Sequence, residues 1–122
     1  MQLMTKEIEK LASKYPLQSQ DGKGLEARII VKFFDPQGSW TWYATEYDPE
    51  DKTFFGYVSG HDNEMGYFTL EELQSVKGAF GLGIERDLYF NNKKVKDIPK
   101  YHMPSFMSVS YTHLTLPTKR IV

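Results

Sequence analysis

The sequence predicts a single α+β domain: an antiparallel meander of four to five strands, an N-terminal helix, and a second short helix before the last strand. Helical spacing at the start gives way to period two near residue 26. The strand-like segments that follow are joined by short Pro- and Gly-bearing turns. A helix-capping motif at Thr69 then interrupts the strands once before they resume.

In order, Thr5 is placed to cap a helix over 5–14, with Glu7 and Glu9 in the first turn where the helix dipole favours acids. Met4, Ile8, Leu11, Ala12 and Tyr15 form its apolar face, and Pro16 stops it. A strand follows with Ala27, Ile29, Val31 and Phe33 on one side. Asp35-Pro36-Gln37-Gly38 is turn chemistry, because proline presets the second position and glycine follows. Strands over 40–47 and 53–59 flank a second turn at 48–51, residues 60–64 read as a loop, and 66–68 as a brief fourth strand. Thr69 and Glu72 make a capping box for a helix with Leu70, Leu73 and Val76 buried, ending at Gly78. Gly81-Leu82-Gly83 reads as flexible, 84–90 as the last strand and 95–98 as a helical turn stopped by Pro99.

A chain of 122 residues suits one domain, and 40% hydrophobic with 15% aromatic content supports a packed core. The absence of cysteine excludes disulfides, thiolate metal sites and cysteine nucleophiles. No apolar run reaches the about 20 residues of a membrane span, and no signal pattern opens the chain, so the expectation is cytoplasmic. Residues 1–100 are read as the domain and 101–108 as a native segment without assigned structure. Val109-Ser-Tyr-Thr-His-Leu-Thr-Leu-Pro-Thr118 resembles a translated transposase sequencing adapter, residue for residue in one reading frame. Residues 109–122 are therefore read as a non-native tail that replaces the natural C-terminus.

Charge is unevenly spread. Residues 35–87 hold eleven acids against three bases, whereas Lys93, Lys94, Lys96 and Lys100 cluster after them. An acidic body repels phosphate backbones, which leaves the Lys93–Lys100 patch as the one route to nucleic acid. The central strands carry aromatic residues on both sides: alternation groups Trp40, Trp42 and Ala44 against Tyr43 and Tyr47, and Phe55 and Tyr57 against Phe54 and Val58. Two short helices cover one face of a sheet. The other is left to the 78–84 loop with the lost C-terminus, to a partner, or to water. Exposed aromatic patches mark interaction sites. Trp40, Trp42, Tyr57, Glu64 and Arg86 are accordingly the candidate residues for contact with a protein partner.

Catalytic and cofactor signals are sparse. Gly81-Leu82-Gly83 lacks the rest of a phosphate-binding loop, and His61-Asp62-Asn63-Glu64 with His102 falls short of a three-ligand metal site. Two carboxylate pairs, Glu46/Asp48 and Glu85/Asp87, could divide acid and base roles if held close. No cofactor is expected.

Several segments resemble the family known as domain of unknown function 2958. They are residues 3–8, Trp40-Thr-Trp-Tyr-Ala44 with Glu46 and Asp48, Phe54-Phe-Gly-Tyr-Val58 with Gly60, Glu64-Met-Gly-Tyr-Phe68 with Glu71-Glu-Leu73, and Ile84-Glu-Arg-Asp-Leu-Tyr-Phe90. The resemblance implies a small bacterial protein, often encoded on plasmids, conjugative elements and phages, sometimes beside anti-restriction or DNA-processing genes. It implies accessory work for a mobile element and carries no catalytic residue across.

Overall fold

The computed structural model describes residues 2–77 and 81–106. Helix α1 spans Lys6–Ala12, where the Thr5 hydroxyl accepts the Ile8 amide at 3.2 Å. Strands β1 (Val31–Phe34), β2 (Thr41–Asp48), β3 (Thr53–Ser59) and β4 (Asn63–Thr69) lead into α2 (Leu70–Ser75), followed by β5 (Glu85–Arg86). All neighbours in the sheet are antiparallel, in the order β4-β3-β2-β1-β5. The predicted meander and both helices are therefore present.

Local chemistry explains the connections. Asp35 accepts the Gln37 amide through its side chain and the Gly38 amide through its backbone, which closes the first turn. Thr69 and Glu72 cap α2 reciprocally, the Thr69 hydroxyl taking the Glu72 amide and the Glu72 carboxylate taking the Thr69 amide. That helix is shorter than expected: Val76 is extended and exposed, and Gly78 lies outside the described residues. Strand β4 is longer than expected, since Asn63 and Glu64 pair with Ser59 and Val58 and leave only a tight turn between β3 and β4. The last strand shrinks to Glu85–Arg86, paired with Phe34 and Phe33.

The sheet has a core on each face. α1 and α2 cover one, where Phe33, Ala44, Tyr47, Phe54, Phe68 and Leu73 are buried. The other holds Ala27, Ile29, Tyr43 and Tyr57 beneath Val95, Ile98 and Met103. Full burial of an aliphatic or Phe side chain contributes about 1.5–3 kcal/mol, so both layers matter to stability.

Two faces differ from the alternation pattern. A bulge between Ala44 and Glu46 inserts Thr45, which turns Tyr47 onto the face of Ala44 rather than that of Tyr43. Ala27 and Ile29 likewise lie opposite Val31 and Phe33. The cause is that residues 27–29 bond to residues 93–95 (Ile29 amide to Lys93, Val95 amide to Ala27), whereas Ile30 donates to Ala44 of β2.

The second face is covered by this chain. Residues 90–106 cross it with two short 3₁₀ turns, Val95–Asp97 and Lys100–His102. Asn63 pins them by donating to the carbonyls of Tyr101 (2.6 Å) and Met103 (3.2 Å). Of the expected cover, Ile84 packs in the helix-side core instead. The tail read as adapter-derived lies outside the described residues.

Candidate functional site

Strand register brings most of the candidate contact residues into one line. Arg86 pairs with Phe33, Phe33 with Trp42, Trp42 with Val58 and Val58 with Glu64, so all five share one row across the helix-side face. Trp40, two residues from Trp42, stacks on it with ring centroids 5.9 Å apart and planes 26° apart. The Trp40 indole lies against Gly60, where any Cβ would stand 2.4 Å from its ring carbons. The His61 ring meets Trp40 edge-on at 5.4 Å. Trp42 packs partly into the core, while Trp40 keeps 36% of its surface exposed.

The other candidates fall elsewhere. Tyr57 was expected near the contact surface but is 2% exposed, because residues 90–106 cover its face. Burial raises its hydroxyl pKa well above the ordinary tyrosine value. Glu64 is exposed and has no ion-pair partner among the described residues. Arg86 donates to the backbone carbonyls of Gln2 and Leu3, fastening the N-terminal segment to β5.

Beside the Trp40 turn lies an open cleft of about 490 Å³, lined by Ser39, His61, Asp62, Asn63, Tyr101 and His102 among others. His102 Nδ1 is 2.7 Å from the Tyr43 hydroxyl, and Lys32 lies over the Tyr43 ring at 5.5 Å while pairing with Asp87 at 3.3 Å. Burial, and then the charge of Lys32, lower the His102 pKa from its usual value. Tyr101, 75% exposed, extends the aromatic surface on this side. Sequence reading missed Tyr101 and His102 as neighbours of this turn, because a 3₁₀ segment carries no periodic signal and long-range bonds from Asn63 and Tyr43 place it. Among the described residues, no group of three or more His, Cys, Asp or Glu side chains could hold a metal ion.

The carboxylate pairs do not converge on a cleft. Glu46 is fully buried, and its two oxygens accept the Gln18 amide at 2.7 Å and the Gln20 amide at 2.9 Å. The cavity beside it is about 20 Å³, room for about one water. Asp48 caps the next turn by accepting the Glu50 amide. Glu85 and Asp87 line separate clefts, one near Leu73 and the other near α1. In the basic patch, Lys94 and Lys96 both reach Glu26, at 2.8 and 3.3 Å, and hold its carboxyl below the usual range.

Fold and surface together define a small α+β domain with a two-sided core and a partly exposed tryptophan stack at one end of its sheet. The chain belongs to the family described as protein of unknown function (DUF2958), which matches residues 3–102. No curated protein and no solved structure matches it. No helix among the described residues is long and apolar enough to cross a membrane.

Proposed function

We propose that this protein is a non-enzymatic protein-binding accessory factor of a mobile genetic element, and that it meets its partner through the Trp40–Trp42 end of the sheet. The observation that carries this reading is the stack itself. Trp40 rests on Trp42 and on Gly60, so a large indole is held in place yet remains 36% exposed. Rigid, partly exposed tryptophan is the residue most enriched in the energetic centres of protein interfaces. Tyr101, 75% exposed, adds aromatic area beside the adjoining cleft, and Asp62 and Glu64 supply an acidic rim. That rim favours a protein partner over a phosphate backbone.

The genetic company implied by the family resemblance, beside anti-restriction and DNA-processing genes, supports accessory work of this kind, including action against host defences. The test is affinity capture from bacterial lysate with the full chain, with and without nuclease, alongside Trp40→Ala. A protein captured in both conditions and lost with Trp40→Ala supports the reading. Capture that nuclease abolishes, or that Trp40→Ala leaves intact, contradicts it.

A further inference from the structure

We infer that the outer edge of β4 is a docking site for an extended, lysine- or arginine-bearing segment of the protein partner, which would add to the sheet as a sixth strand. This rests on the reading of the chain as a protein-binding module and gives the partner its chemistry.

β4 ends the sheet. All seven of its residues pair with β3, and no described strand pairs with its other side. A strand in that position presents a row of backbone donors and acceptors to any chain that can lie alongside. The opposite edge is guarded: β5 is two residues long, Arg86 ties it to the N-terminal segment, and Lys32 and Asp87 form an ion pair beside it. β4 has neither proline nor lysine, and Glu64 is its one charged residue.

Charge selects the occupant. Residues 53–76 contain no Lys or Arg, but hold Asp62, Glu64, Glu71 and Glu72. Of these, Glu72 is committed to capping α2, whereas Asp62, Glu64 and Glu71 are exposed and have no ion-pair partner among the described residues. A second copy of β4 would bring a second set of these acids to the same edge, where charges of like sign repel. A basic strand meets them with opposite sign. It would also continue the row Trp42–Val58–Glu64 by one position, placing a cation beside Glu64. Gly66, at the centre of β4, has nothing within 4 Å of where a Cβ would stand, which leaves room for a bulky incoming side chain between Glu64 and Phe68.

The experiment is fluorescence anisotropy on the full chain. The probe is a labelled seven-residue peptide alternating lysine with valine and threonine. Two comparison peptides carry glutamate for lysine, or the lysine sequence methylated at all backbone amides. The lysine peptide should bind at least tenfold more tightly than the glutamate one, and the methylated one should lose binding. Glu64→Lys should weaken the lysine peptide tenfold and Glu64→Gln by a smaller factor, with circular dichroism confirming that both variants are folded. Equal binding of the methylated peptide, no saturable binding at millimolar concentration, or self-association that the peptide does not disturb would each overturn it. If the peptide fails but lysate capture still depends on Trp40, the docking edge is wrong and the protein-binding reading stands. If the peptide binds and capture is indifferent to Trp40, the docking edge stands and the contact through the Trp40–Trp42 end is wrong.

Discussion

Glu46 and Gln20 together hold the loop after α1 onto the sheet. The Glu46 carboxylate accepts the Gln20 amide at 2.9 Å, while the Gln20 side chain donates to the carbonyls of Thr45 and Arg28 and accepts the Arg28 amide. The β2 bulge turns Glu46 toward this loop, so a residue that resembles half of a catalytic pair serves as a structural anchor. Glu46→Gln presents an amide donor to a backbone donor and should cost about 1–3 kcal/mol. Urea unfolding of the variant measures it; a change below about 0.5 kcal/mol, the range of neutral surface substitutions, would contradict the anchor role.

Trp40 and Tyr57 separate surface from core. Tyr57→Ala empties a fully packed site and should cost about 3–5 kcal/mol, as buried aromatic truncations do. Trp40→Ala should stay within about 1 kcal/mol, because the indole lies on a turn and not inside the protein. Thermal melts of the two variants decide; similar losses would place Trp40 in the core.

Gly60 should tolerate no side chain without moving Trp40. Its φ is not in the left-handed region, so the conflict in Gly60→Ala is steric: a new Cβ 2.4 Å from the Trp40 ring. The indole must lift, and tryptophan emission should shift to the red with stability lowered by about 1 kcal/mol, the lower end of overpacking costs. Unchanged emission would mean that the contact is absent in solution.

His102 gives the cover of the second face a dependence on pH. Its pKa in the folded state is lowered from 6.5 by burial and by Lys32, so the unfolded chain takes up the proton first. Its contribution is therefore complete above about pH 6.5, its unfolded value, and is lost as pH falls through the lower folded value. Denaturant midpoints at pH 7.5 and pH 5.5 should fall further for the wild type than for His102→Gln. An identical fall in both would show that His102 does not carry the effect.

What could be read beforehand depended on whether the cause was local. The Thr69–Glu72 capping box and the Asp35 turn involve residues within three of each other, and both formed as their side-chain chemistry requires. The Thr45 bulge is set by the pairing of β2 with β3, so Tyr47 could not be assigned its face from alternation. Asn63 and Glu64 read as loop because they are polar, yet edge pairing with Ser59 and Val58 extends the strand through them. Tyr57 was misplaced for a related reason: its cover, residues 90–106, has two 3₁₀ turns and no repeating apolar pattern, so only long-range contacts reveal it. In the candidate surface, the i, i+2 spacing of Trp40 and Trp42 was legible, whereas the roles of Gly60 and His61 beside them were not.

Trp40 and Trp42 are the two tryptophans of the sequence, which makes them selective reporters of the proposed surface. The most direct test is fluorine NMR of the full chain labelled with 5-fluorotryptophan, recorded before and after adding the protein captured from lysate. Two resonances are expected, with the Trp40 signal, assigned through Trp40→Phe, moving or broadening as the partner is added. A partner that binds while both resonances stay in place would contradict a contact through the tryptophan stack.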